Sequence, residues 1–470
     1  MKVLLFVTLS TALLCTLVLS DHGGSHDDDH NHDHDHDHDH DHDHDHDHDH
    51  HHDHDHKHNQ SHSHHHHCDG NYHHHHGDGN YHHHHGDGNY HHHHTNESMA
   101  CYRIAKSNAN FAFHFFNQIA SRNPTDNIFF SPVSISIAFA LLSKGARSKT
   151  HDQIIEGLGF NASKITKEEI HAGFKHLLHV LNDPNSELQL NSGNALFINK
   201  ESKLLQTFLD DAKNFYESEA FSTDFQNTEE AKKQINSYVE KQTNGKIVDL
   251  LDSVDKDTIL VLLNYIYFRG KWEKPFEEEF TKEGDFHVDE NTVVKVPMMH
   301  RTGMYNVLLN ENCSVVEMPY KGNASALFIL PKEGHLREIE ESLEKAAIKN
   351  WRKTLWRRSV MLTFPKFSIS ATLDLKNEFE KLGVTEVFSD TADLSGMTGE
   401  ANLKLSKAVH KAVLNVDEKG TEAAAVTGLE IMPTSLPPAV KFDHPFLIVI
   451  ADDITHSVLF LGRITNPAKK

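Results

Sequence analysis

With 470 residues, 37% hydrophobic and 24% charged, the chain is long enough to bury a large core without disulfide support, and a formal net charge of −23 argues against a nucleic-acid partner. The charge is uneven: residues 21–98 carry 18 Asp and one Glu against one Lys, whereas residues 99–470 are only mildly acidic. The helical segments of that second part also show no Lys/Arg clustering of the kind that binds heparin.

In chain order, residues 1–20 read as a secretory signal. Lys2 supplies the positive start, Val3 to Val18 is a mostly apolar run, and Val18 and Ser20 are small enough for cleavage near Ser20. The run is short for a membrane span and no later one is longer, so a secreted, extracellular protein with no membrane contact is expected. Beyond Cys15, three cysteines remain: Cys68, Cys101 and Cys313. That odd number leaves a free thiol or an intermolecular bond, and it leaves open whether Cys68 pairs with Cys101.

Residues 21–98 hold 35 of the 46 histidines. From His30 to His50 nearly every second residue is His, alternating with Asp; three copies of a nine-residue unit follow, Cys68–His76, Gly77–His85 and Gly86–His94. With almost no apolar surface to offset ordering entropy, the segment is expected to be disordered. Imidazoles on alternate residues of an extended chain lie about 7 Å apart, close enough for two to share an ion. His32, His34, His36 and His38 are candidate ligands for Zn, Ni or Cu. So are the tetrads His73, His74, His75 and His76; His82, His83, His84 and His85; and His91, His92, His93 and His94. An inert solubilising tail is the alternative. As pH falls through about 6.5, the histidines protonate and offset the aspartates.

From Ala100 onward helical and strand patterns follow one another. Ala105–Ser121 and Val133–Lys144 have helical apolar spacing, and Ser131-Pro132 fits a helix start. Leu260–Phe268, Val360–Ile369, Ala408–Val416 and Phe446–Ile450 read as buried strands, which together predict an α+β fold. His171, His176 and His179 are expected on the solvated face of a helix. No Gly-x-Ser-x-Gly elbow, phosphate-cradling loop or His-Glu-x-x-His is present, so an enzyme is not expected.

The most informative stretch runs from Glu418 to Ser435. Its first half holds Ala423, Ala424 and Ala425 followed by Val426 and Thr427, small and β-branched residues that can enter a sheet without overpacking it. Its second half, Leu429–Ser435, reads as an exposed, extended bait, and such tips are where proteases cut.

This loop resembles the reactive loop of the serpins, in particular the antitrypsin-like secreted plasma inhibitors. The likeness covers Cys101 to Lys470. It is carried by Asn127-Ile-Phe-Phe-Ser-Pro-Val-Ser134, Asn264-Tyr-Ile-Tyr-Phe-Arg-Gly-Lys-Trp272, Lys295-Val-Pro-Met-Met299, Asp393-Leu-Ser-Gly-Met397, Leu405–Leu414 and Phe446–Pro467. The resemblance implies three β-sheets, a helical bundle, an exposed reactive-centre loop at about 418–440 and a serpin domain over 99–470.

It also implies a scissile bond between Thr434 and Ser435, fifteen residues counting from Gly420 to Thr434. After attack by a serine protease, the freed segment from Thr421 would enter the main sheet as a strand; fifteen residues span about 50 Å. Hinge roles fall to Glu418, Gly420, Thr421, Glu422 and the three alanines, with Glu418 expected to bridge to Lys295. Ser131, Ser134, Asn264 and His410 would line the gate in the sheet, His410 as a structural core histidine, with Trp272 where the loop enters. Small, β-branched Thr434 disfavours Arg/Lys-selecting enzymes and fits an elastase-like pocket, although a cut at Met432 or Leu429 would change the target.

No cofactor is required on this reading, and a monomer is expected. The rival is a non-inhibitory member, a hormone or metal carrier or a storage protein; the small-residue hinge argues against it. Asn59, Asn96, Asn161 and Asn323 are candidate glycosylation sites, Asn323 at a position used by relatives. Asn312 also heads a sequon, but with Cys313 in its middle position.

Overall fold

The computed structural model describes residues 99–183, 186–420 and 436–469. The signal segment, the His/Asp segment with all its candidate metal ligands, Cys68, the sequons at Asn59 and Asn96, and Thr421 to Ser435 lie outside the described residues.

The described part opens with α1 (Ala100–Ala120), β1 (Ile128–Phe130), α2 (Pro132–Gly145), α3 (Ser148–Gly157), α4 (Lys167–Leu181) and β2 (Gln189–Asn199). Next come α5 (Gln206–Tyr216), β3 (Glu219–Thr223), α6 (Thr228–Gln242), β4 (Leu260–Arg269), β5 (Lys282–His287), β6 (Val293–Leu309), β7 (Cys313–Pro319) and β8 (Ala324–Pro331). The last part holds α7 (Leu336–Glu341), α8 (Lys345–Thr354), β9 (Trp356–Pro365), β10 (Phe367–Asp374), α9 (Leu375–Lys381), α10 (Ser395–Thr398), β11 (Lys407–Val416), β12 (Ala439–Lys441), β13 (Phe446–Asp452) and β14 (Val458–Ile464).

Helix starts follow local chemistry. Ser131 caps α2, its side chain accepting from the Ser134 amide, with Pro132 at the first helical position. Thr166 and Glu169 form a reciprocal capping box on α4. Helix α2 is apolar all round and nearly every residue is buried, as expected of a helix inside the molecule. Helix α6 is buried along one stripe only: Ala231, Ile235 and Val239 pack with Phe197, Val261, Leu263, Val409 and Val413 of β2, β4 and β11.

One sheet has five strands in the order β10-β11-β4-β2-β3. The other follows the path β1-β14-β13-β8-β7-β6-β9-β12, with β5 added on β6. The described strands thus form two hydrogen-bonded sheets where three were expected. Strand β6, 17 residues long, pairs with β5, β9 and β7 along successive parts of its length and joins groups that would otherwise stand apart.

Two further expectations are corrected. Val360–Ile369 is not one strand: Val360–Pro365 belongs to β9 in the larger sheet and Phe367 opens β10 in the smaller, with Lys366 at the corner and its amide donating to the Pro297 carbonyl. His171 is not on a solvated face. It is 5% exposed, and its Nδ1 lies 2.5 Å from the Tyr216 hydroxyl. Burial, with Lys144, His151 and Lys167 nearby, pushes its pKa down to about 3. His176 is half-buried and accepts from the Cys101 amide, and His179 is exposed. Cys101 and Cys313 are both buried.

Candidate functional site

The site is the seam between β11 and β4. These strands run parallel over eight paired positions, Lys407 opposite Val261 to Leu414 opposite Phe268, while their outer neighbours β10 and β2 pair antiparallel to them. A strand entering this seam in the opposite sense would replace one parallel pairing with two antiparallel ones, and antiparallel pairing is the more stable per residue. The chain leaving β11 is turned for that direction. Asp417 and Gly420 exchange backbone hydrogen bonds of 3.2 and 3.3 Å, closing a turn at the end of the strand.

That turn is held against the segment that follows β4. The Trp272 amide donates to the Lys419 carbonyl, the Trp272 indole to the Asp417 carbonyl (3.0 Å), and the Phe276 amide to the Glu418 carbonyl (2.7 Å). Trp272 is buried and stacks on Tyr320, ring centroids 4.3 Å apart. Gly420 has φ of +93°, and a Cβ there would stand 2.4 Å from the Trp272 nitrogen, so both conformation and space demand glycine.

The expected Glu418–Lys295 bridge is corrected. Lys295 sits directly across the ladder from Asp285 and pairs with it, exposed, at 2.5 Å. Glu418, 4% exposed, takes Lys366 at 2.8 Å and the Thr281 hydroxyl at 2.7 Å. Lys366 can reach because Phe367, next along the chain, pairs with Val416 at the end of β11. Burial pushes the Glu418 carboxyl up, but the hydrogen bonds from Lys366 and Thr281 outweigh it and hold the group below its ordinary range. Asp417 is pushed up by burial, which outweighs the hydrogen bond its carboxylate accepts from the Lys419 amide.

Midway down the seam His410 and Asn264 are cross-strand partners. The Ser131 amide donates to His410 Nε2 (3.1 Å), so the ring proton is on Nδ1 and donates to the Asn264 side-chain oxygen (2.5 Å). The Asn264 amide nitrogen donates to the Ser134 hydroxyl and to the Asn194 side-chain oxygen, each at 2.7 Å. Complete burial pushes the His410 pKa down to about 3, and a second ring proton would face the Ser131 N–H. The imidazole is a neutral hydrogen-bonding bridge.

The structure therefore brings Ser131, Ser134, Asn264 and His410 into one network, sets Trp272, Glu418 and Gly420 together at the head of the seam, and leaves Lys295 apart. Asn194, Lys366, Thr281 and Tyr320 belong to the site and were not anticipated. Asn194 carried no distinct signal, since it closes the polar stretch Asn191-Ser-Gly-Asn194 ahead of the apolar run Ala195–Ile198. Of the sequons, Asn161 and Asn323 are exposed, while Asn312 is half-buried beside buried Cys313.

The family model described as Serpin (serine protease inhibitor) matches residues 106–467. The chain belongs to the serpin family. It is 54% identical over 376 residues to alpha-1-antiproteinase of Callosciurus caniceps, covering 80% of this chain and 91% of that protein. It is 53% identical over 377 residues to alpha-1-antitrypsin of Sus scrofa, covering 80% and 90%. Among solved structures, human thyroxine-binding globulin in complex with thyroxine superposes with a TM-score of 0.75 at 46% identity, over 78% of this chain and 99% of that one. Human glycosylated kallistatin gives 0.74 at 45% identity, over 79% and 99%.

This is an antitrypsin-like serpin with the α+β serpin fold. The expectation about enzymatic activity, argued above from missing motifs, needs correcting in its terms. The relatives are named alpha-1-antiproteinase and alpha-1-antitrypsin, and the matching family model is that of a serine protease inhibitor, so the relevant class is inhibitor of an enzyme.

Proposed function

We propose that this serpin is a secreted, extracellular inhibitor of serine proteases that acts as a suicide substrate, with an elastase-type enzyme as target and Thr434–Ser435 as the bond attacked. One observation carries the reading: the parallel β11–β4 seam, headed by a glycine turn, is followed in sequence by residues small enough to enter it. The protease's serine adds to the Thr434 carbonyl, the peptide bond to Ser435 breaks, and the Ser435 amine departs with a proton, leaving an ester between protease and inhibitor. The segment from Thr421 through Glu422 and the three alanines then fills the seam and draws the attached enzyme along before water reaches the ester. Glu418, held by Lys366 and Thr281, anchors the head of the seam; Ser131, Ser134, Asn194, Asn264 and His410 hold it closed until then.

Mixing the protein with a panel of elastase-, chymotrypsin- and trypsin-type enzymes tests this. The expected product is a denaturant-stable adduct with an elastase-type enzyme and a released fragment whose first residue is Ser435, read by mass spectrometry. Cleavage without an adduct would contradict it.

A carrier role is the second reading, favoured by the likeness to thyroxine-binding globulin in complex with thyroxine. The small hinge residues weigh against it, since a carrier has no need to insert its loop. The His-rich segment 21–98 is proposed to hold Zn, Ni or Cu; deleting it should abolish metal binding and leave inhibition intact. Asn161 and Asn323 are the described positions proposed to carry glycans.

A further inference from the structure

Helix α8 and the start of β9 hold six cations and no carboxylate in fourteen residues: Lys345, Lys349, Arg352, Lys353, Arg357 and Arg358. This corrects the expectation of no basic clustering in the helical segments. The lysines and Arg352 recur at helical spacing and do not read as a run. The far end of this stretch is unlike the rest of the surface. Trp356 is 61% exposed, and the Arg358 guanidinium stands 5.3 Å from its ring centroid, a cation–π pair open to solvent. Arg352 is drawn to Glu317 and Asp453, whereas among the described residues neither Arg357 nor Arg358 has a carboxylate in ion-pair distance. A large exposed aromatic beside two guanidinium groups that make no salt bridge among the described residues is the composition that dominates protein–protein contacts.

Its place in the fold is specific. Strand β12, which carries the chain away from the reactive loop, pairs parallel with β9 at Met361–Thr363, so both strands run back from that pairing in one direction. In that direction β12 leads to Leu436, 86% exposed, and β9 leads to Trp356, about 17 Å upstream of Met361. Arg357 and Met304 also line a cavity of about 120 Å³ together with Glu317 and with Trp272 and Glu273 from the head of the seam. The patch thus stands on the strand that pairs with the chain leaving the loop, and through Arg357 it shares a cavity with the head of the seam.

We propose that Trp356, Arg357 and Arg358 form an accessory docking face for the target protease, taking an acidic surface loop beside its cleft. This rests on the inhibitor reading above. The face orients the enzyme during encounter and sets which proteases are captured fast, while the loop sets where they cut.

The test is the second-order rate of adduct formation for Arg357→Glu/Arg358→Glu and for Trp356→Ala, using elastase-type proteases of acidic and of basic overall charge at low and high salt. With acidic enzymes, the double reversal is expected to slow capture about tenfold or more at low salt, to flatten the salt dependence, and to leave the stoichiometry of inhibition unchanged. Arg357→Lys/Arg358→Lys should keep most of the rate, and unchanged melting of each variant excludes misfolding. If the parent protein forms adducts and every variant matches its rate with every enzyme, the docking face is refuted while the inhibitor reading stands. If the reversal instead abolishes only retention on a sulfated polysaccharide column, the face serves a polyanion and the proposal fails. If the parent forms no adduct at all, the inhibitor reading fails first and this inference goes with it.

Discussion

Between β11 and β4 the buried centre is polar: His410, Asn264, Asn194, Ser131 and Ser134 hold one another by hydrogen bonds. Between β8 and β13 it is apolar, and Phe328 packs against Trp272, Phe364, Phe442 and Phe446 with no polar atom among the four phenylalanine side chains. Strands β8 and β13 are buried along their whole length, whereas β11 is buried except at Lys407, Lys411 and Asn415. An apolar core gives up area and packing when opened and finds no substitute partner. A hydrogen-bonded seam is cheaper to exchange, because a strand entering it offers new donors and acceptors to groups that would otherwise be stranded. The difference places the give of this fold in the smaller sheet and its fixed frame in the larger.

Substitutions can break that contrast. Phe328→Ala should be the most costly, about 3–5 kcal/mol by denaturant unfolding, and the cost should be the same in intact and cleaved protein because the frame does not change. Asn264→Leu should cost about 2–3 kcal/mol, since it strands the His410 N–H and the Ser134 and Asn194 side chains. Here the intact protein should lose more than the cleaved one. Equal losses in both forms would remove the distinction between seam and frame.

Acid should act through the seam. The folded state depresses the pKa of His410 to about 3, below the unfolded value near 6.5. The unfolded chain therefore binds the proton first as pH falls. The stability that a neutral His410 supports is complete above about pH 6.5 and declines as pH drops from there toward 3. His171 shifts in the same direction, so His410→Gln should reduce this slope in a urea-unfolding series without abolishing it.

The smallest effect concerns the head of the seam. Glu418→Gln weakens the contacts to Lys366 and Thr281 by about 1 kcal/mol, discounted because Lys366 is partly exposed, and should speed polymer formation on mild heating as judged by native gels. Lys295→Gln should leave the polymerisation rate unchanged.

Much of this was legible in the sequence, though not evenly. The strands 260–268, 408–416 and 446–450 and helix α2 stood out because burial writes a mostly hydrophobic run. His410 could be read as a core histidine from its setting within an apolar strand. Pairing across strands left no such trace. Lys295 and Lys366 are both lysines near strand ends, and only the register, Asp285 opposite Lys295 and Phe367 opposite Val416, decides which reaches Glu418. The corner at Pro365–Lys366, where the chain changes sheets, fell inside a span read as one buried strand, although Pro365 and Lys366 themselves interrupt its apolar pattern. The buried end of His171 likewise depended on Tyr216, 45 residues away.

The central claim is that the intact fold lies above a more stable arrangement in which the β11–β4 seam is filled. Differential scanning calorimetry of the protein before and after a single clip at Thr434–Ser435 tests it most directly. A cleaved form melting well above the intact one is the predicted result; equal or lower melting would contradict the account.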